Sequence, residues 1–105
     1  MLLKIIWSEF AEYQLDEIYD YYKKNVSAVF AKKLVLEIIK EPNKLLEAPE
    51  IGQIEEFLRH KDIEYRYLIF KNYKLIYSVD YKFGYIKIAD VFDTRQNPVK
   101  LKRTK

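Results

Sequence analysis

The chain has 105 residues, 50% of them apolar and 33% charged, with only 2 Gly and 3 Pro, a composition that predicts a single packed domain over residues 1–105 and excludes a disordered or collagen-like chain. With no Cys and 1 His, a disulfide framework, a thiolate zinc site, a thiol nucleophile and a multi-histidine metal centre are excluded. The net charge is +3, but residues 1–58 hold 7 Lys and Arg against 11 Asp and Glu, while residues 59–105 hold 12 against 5; the surface that would attract a polyanion or an acidic protein segment therefore belongs to the second half.

Leu2 to Trp7 is a short apolar run that predicts a strand, and Ser8-Glu9 supplies a helix N-cap followed by an acid in the first turn. Ala11, Leu15, Ile18, Tyr19 and Tyr22 then recur at spacings of three and four, so a first helix is expected to about Lys24. Asn25-Val26-Ser27 ends it and caps a second, antiparallel helix with Phe30, Ala31, Leu34, Val35 and Ile38 on its apolar side. Pro42 removes a hydrogen bond to the Ile38 carbonyl and predicts a stop or kink, with a further helical piece over 43–47 and turn residues at Pro49-Glu50-Ile51-Gly52.

From Ile63 the apolar period becomes two. Ile63 to Phe70, Tyr73 to Asp80 and Tyr85 to Phe92 read as three strands. Lys71-Asn72 forms a two-residue turn, with Asn72 expected at positive φ, and Lys82-Phe83-Gly84 a longer one. In the middle strand Tyr73, Leu75, Tyr77 and Val79 form the expected core face, opposite Lys74, Ile76, Ser78 and Asp80. The expected fold is α+β: an N-terminal strand, a helical hairpin and a three-strand meander, forming a four-strand antiparallel sheet with both helices on one face. Residues 99–105, with Lys100, Lys102, Arg103 and Lys105, are expected to form a basic tail that is mobile until bound. No apolar run reaches membrane-spanning length and the first residues do not resemble a signal peptide, so the expectation is a cytoplasmic protein with no membrane partner.

Candidate chemistry is confined to few residues. Gly52 and Gly84 cannot build a phosphate-binding glycine loop. Ser8 and Ser27 are better explained as helix caps, and Ser78 and His60 stand in no motif. Arg66, on the first strand of the meander, and Arg95, just past the last, are expected to meet at one end of the sheet and bind a phosphate or carboxylate through their paired donors. The alternative for Arg66 is a brace to Glu64 or Asp93. Tyr19, Tyr22, Tyr73 and Tyr77 fit core and rim positions, whereas Tyr65 and Tyr67 would offer an exposed aromatic surface to a peptide or base.

Several segments in order along the chain carry a resemblance: Ile5-Ile6-Trp7-Ser8 opening an acidic helix, the loop Pro49-Glu50-Ile51-Gly52, the series Arg66, Tyr73, Ile76, Tyr77, and the ending Asp90-Val91-Phe92-Asp93-Thr94-Arg95-Gln96-Asn97-Pro98. Together they resemble the RelE/ParE superfamily of toxins from bacterial type II toxin–antitoxin systems. The resemblance implies two N-terminal helices on an antiparallel sheet, and a growth inhibitor neutralised by a cognate antitoxin in a hetero-oligomeric complex. It implies no cofactor. Two targets divide the superfamily. RelE-like members cleave messenger RNA on the ribosome, and Arg66 and Arg95 occupy places where that branch carries phosphate-binding arginines. The sequence after Arg95 lacks the Tyr or His-Tyr pair those nucleases carry near the C-terminus. ParE-like members block DNA gyrase by protein contact and need no acid or base, which is the branch favoured here. The basic half is expected to attract an acidic antitoxin, with Lys100, Lys102 and Arg103 as partner-binding residues. A nucleic-acid binding module without toxicity and a degenerate toxin are the remaining readings.

Overall fold

A computed structural model of the chain describes residues 2–59 and 61–104. It runs β1 (Lys4–Trp7), α1 (Glu9–Asn25), α2 (Ala28–Lys40), a 3-10 helix (Glu41–Leu46), β2 (Gln53–Ile54), a 3-10 helix (Glu56–Leu58), β3 (Arg66–Phe70), β4 (Tyr73–Asp80), β5 (Tyr85–Asp93) and a 3-10 helix (Pro98–Arg103). Both serine caps are in place: Ser8 accepts from the Ala11 amide and Ser27 from the Phe30 amide. The α-helix stops at Lys40, two residues before Pro42, and the chain tightens into the 3-10 turn with Pro42 buried. Proline thus changes the helix type without turning the chain out of the core.

The sheet has five strands in the order β1-β5-β4-β3-β2 and is mixed, where four antiparallel strands were expected. Hairpins fix β4 and β5 antiparallel to their predecessors, but β1 connects only through helices, so alternation could not give its direction; it pairs parallel to β5, with Ile5 opposite Ile86 and Trp7 opposite Ile88. The added strand, β2, is two residues long and pairs with Arg66 and Tyr67. Leu2 is exposed and outside β1, and residues 63–65 precede β3 as irregular chain. In the β3–β4 turn the left-handed residue is Lys71 at φ 54°, not Asn72. Asn72 is engaged elsewhere: its amide donates to Asp93 at 3.3 Å and its carbonyl accepts from the Thr94 amide at 2.8 Å.

The main core lies between the helical hairpin and one sheet face, where Ala11, Leu15, Leu34 and Ile38 meet Tyr73, Leu75, Tyr77, Ile86 and Ile88. On the second face, opposite the expected core face of the middle strand, Ile76 is fully buried. It joins Ala89, Phe92, Tyr65, Leu58 and Leu101 in a smaller core roofed by the 3-10 helices Glu56–Leu58 and Pro98–Arg103. A bulge between Ile76 and Tyr77, which pair with Asp90 and Ile88, leaves Ala89 as the extra β5 residue. Tyr65 and Tyr67 are accordingly not an exposed aromatic surface. Tyr65 is buried, and Tyr67 donates to Gln53 at 3.0 Å while the Lys74 ammonium sits 4.2 Å from its ring centre.

The segment expected to be a mobile tail is docked instead, because Leu101 inserts fully into the second core and buried Thr104 donates to Asp90 at 2.9 Å. Asp90 is completely buried and receives two hydrogen bonds from Arg103, each 3.2 Å, while that guanidinium lies 5.4 Å from the Phe10 ring and 5.3 Å from the Phe92 ring. Removing one member of a buried charge pair leaves the other stranded, at about 3–5 kcal/mol. Arg103→Met is therefore expected to destabilise the fold by about 3 kcal/mol in urea denaturation; a change below about 1 kcal/mol would show that the pair behaves as a surface contact. A second test concerns Gly52, where an added Cβ would meet the Tyr77 hydroxyl at 2.5 Å and the Tyr67 carbonyl at 2.8 Å. Gly52→Ala should cost about 1–3 kcal/mol by the same measurement, and an unchanged midpoint would mean that the loop yields freely.

Candidate functional site

Arg66 and Arg95 do not meet. In a meander the first and third strands run in the same direction, so the start of β3 and the end of β5 lie at opposite ends of the sheet. Arg66 is opposite Tyr77, whereas Asp93 is opposite Tyr73; four residue steps of β4, roughly 13 Å, separate those levels, and Arg95 lies farther on.

Arg66 works as the brace that was its alternative role. Its guanidinium donates to Glu64 at 3.1 Å and to the carbonyls of Glu50 and Gly52 at 3.2 and 2.9 Å. Tyr77 holds the same loop from the core: its hydroxyl accepts from the Gly52 amide at 3.0 Å and donates to the Pro49 carbonyl at 2.8 Å. Burial is the main cause that pushes the Tyr77 phenol above the usual tyrosine range. The Pro-Glu-Ile-Gly loop is thus held by one amino group of Arg66 and by the Tyr77 hydroxyl, while the Arg66 Nε is turned to Glu64.

At the other end, α1 and the sheet enclose a cleft of about 310 Å³ lined by Tyr21, Tyr22, Tyr73, Asp93, Arg95 and Gln96 among others. Local sequence builds it. Asp93 closes a turn by accepting from the Arg95 amide at 2.9 Å, while Thr94 donates from both amide and hydroxyl to the Asn72 carbonyl at 2.8 and 3.0 Å. The Arg95 guanidinium returns onto Asp93 through contacts of 2.6 to 3.1 Å, yet 66% of its side chain faces solvent. Tyr22 is set by edge-on contacts with Tyr21 and Phe30, ring centres 5.0 and 5.4 Å away.

Burial, and then the neighbouring Tyr22 hydroxyl, hold the Tyr73 phenol well above the usual tyrosine range, so it stays protonated. Asp93 is held below the ordinary carboxylate range, first by the Arg95 side chain, and remains an ion-paired anion. On the helical rim, the Glu17 carboxylate pushes the Tyr13 phenol above the usual tyrosine range. A polar partner group entering the cleft meets an exposed guanidinium, tyrosine faces and the amide of Gln96.

Of the expected partner-binding residues, Lys100 and Lys102 face solvent, while Arg103 is turned inward onto Asp90. Lys74 is likewise committed, donating to buried Glu55 at 2.8 Å. His60 lies outside the described residues. Among the described residues, no cluster of three or more His, Cys, Asp or Glu could hold a metal, and no helix is long and apolar enough to cross a membrane.

With this geometry in place, the model of the ParE toxin family, described as the ParE toxin of the type II toxin–antitoxin system parDE, matches residues 5–98. The chain belongs to the ParE toxin family. It is thereby a member of the RelE/ParE superfamily, and the matched span takes in Arg66, the Pro-Glu-Ile-Gly loop and the Arg95 cleft. A solved structure described as the chromosomal ParDE toxin–antitoxin system from P. aeruginosa is similar in fold: its TM-score is 0.72 at 20% sequence identity, over 88% of this chain and 96% of that one. No curated protein sequence matches the chain.

The Asp93–Arg95 pair gives a pH signature. A carboxylate whose folded pKa is depressed contributes stability that is complete above its unfolded pKa, about 3.9, and is lost as pH falls through the folded value. Arg95→Ala should raise the Asp93 pKa toward the ordinary value and flatten the acid limb of stability below about pH 4, so that the variant is less stable than the parent at pH 7 and converges with it at low pH. NMR titration of the Asp93 carboxyl carbon checks this; an unshifted pKa would mean that Arg95 does not set it.

Proposed function

We propose that this chain is the toxin of a type II toxin–antitoxin pair, acts in the cytoplasm by contacting and inhibiting DNA gyrase, and is neutralised by a cognate acidic antitoxin in a hetero-oligomeric complex. The family match supports the toxin and antitoxin parts. The choice of gyrase over messenger RNA is carried by one observation: Arg66 and Arg95, the arginines a RelE-like nuclease would turn on one phosphate, lie at opposite ends of the sheet, each already paired with carboxylate. Metal-independent RNA cleavage requires a base, an acid and cations converging on one phosphodiester. Inhibition by contact requires only a complementary surface, and the Arg95 cleft together with Lys100 and Lys102 is the part of this chain offered for it.

The test is paired. Purified protein should inhibit gyrase supercoiling without cleaving messenger RNA in a translating extract, and Arg66→Ala should act mainly through stability. Messenger RNA cleavage that is lost on Arg95→Ala would overturn the gyrase reading. Salt-sensitive affinity for DNA or RNA without growth inhibition would favour the binding-module alternative. Antitoxin affinity should fall with added salt and on neutralising Lys100 and Lys102; indifference to both would remove the electrostatic account of that partner.

A further inference from the structure

The second face of the sheet is only half covered. The 3-10 helices seal the half that carries Ile76, Ala89 and Phe92. The other half, where β1, the end of β4 and the start of β5 meet, lies open as a groove of about 430 Å³. Ile6, Ile63, Tyr81 and Tyr85 line it, exposed by 38%, 50%, 49% and 39%. They come from four separate stretches of chain: β1, the irregular segment before β3, the β4–β5 turn and β5. Single exposed apolar side chains are ordinary on a protein surface, but here four from separate stretches of chain converge on one groove.

The charge of this groove opposes that of the chain. Asp62, Glu64 and Asp80 line it against Lys87 alone, in a protein of net charge +3. Glu64 is shared with Arg66 and Asp80 accepts from the Phe83 amide, whereas Asp62 is exposed in the irregular segment. An acidic peptide is repelled here, so the acidic antitoxin expected above finds its complement elsewhere. A guanidinium suits the groove on two counts, since it pairs with carboxylates through parallel donors and stacks on tyrosine faces.

We propose that this groove docks a segment of a partner protein carrying arginine beside aliphatic side chains, with the guanidinium against the carboxylates and tyrosine rings and the aliphatic groups against Ile6 and Ile63. The proposal goes beyond the toxin reading and does not depend on it. It is tested with the full chain, isotope-labelled for NMR, and a capped peptide of repeated Arg-Leu-Ser as the probe, with Glu-Leu-Ser as control. Saturable amide shifts centred on Ile6, Ile63, Tyr81 and Tyr85, weakened by salt and at least about tenfold stronger for the arginine peptide, are expected. Shifts centred on the acidic outer face of α1, equal binding of the glutamate peptide, or no saturable shift would overturn it. Asp62→Lys and Ile63→Ser change exposed side chains outside the regular elements, and their amide spectra report whether the fold is kept. About tenfold weaker binding in at least one folded variant supports the groove, and unchanged affinity in both refutes it.

Discussion

Two amphipathic helices can cover only one face of a five-strand sheet, and much of this molecule follows from how the other face is handled. Apolar residues on that face, Ile76 and Phe92 foremost, need a roof, and short 3-10 segments provide it by inserting Leu58 and Leu101. Such segments bury little area each and cannot hold themselves in place through helix propensity. They are tied down by polar contacts instead. Glu55 accepts from Lys74 beside one of them, and Asp90 accepts from Arg103 and Thr104 at the end of the other. The result is a small core whose rim is ionic, set against a larger core whose rim is helical.

That arrangement explains what becomes of the basic side chains. Arg66, Lys74, Arg95 and Arg103 each face a carboxylate within the chain. Three of these pairs position a loop or a roof, and only the Arg95 guanidinium is mostly open to solvent. A cation counted from the sequence is therefore not a cation offered to a partner. The basic balance of the second half is expressed outward chiefly through residues such as Lys100 and Lys102, while the open part of the second face has the opposite sign.

Those elements whose burial follows a simple period were legible in the sequence. Ala11 and Leu15, then Ala31, Leu34 and Ile38, lie inward as their spacing required, and Ser8 and Ser27 cap as their positions implied. Tyr73, Leu75 and Tyr77 form the core face of β4 as alternation predicted. The direction of β1 was not legible, because a strand reached only through helices carries no hairpin to orient it. Nor was β2, where two residues are too few to show a period. For the candidate site, placing Arg66 and Arg95 together neglected that the odd strands of a meander run in the same direction, so strand order alone could have separated them. Asp90 carried a usable signal: an acid within the apolar run Ile-Ala-Asp-Val-Phe is buried only with a cation beside it, and Arg103 was the cation that the tail assignment had placed outside the fold.

Docking also makes the 98–104 segment a part of the fold. Leu101 fills a socket in the second core, and Arg103 and Thr104 compensate the buried Asp90 carboxylate. A chain cut short before residue 101 would lack all three, leaving an apolar hollow beside an uncompensated acid on the underside of the sheet.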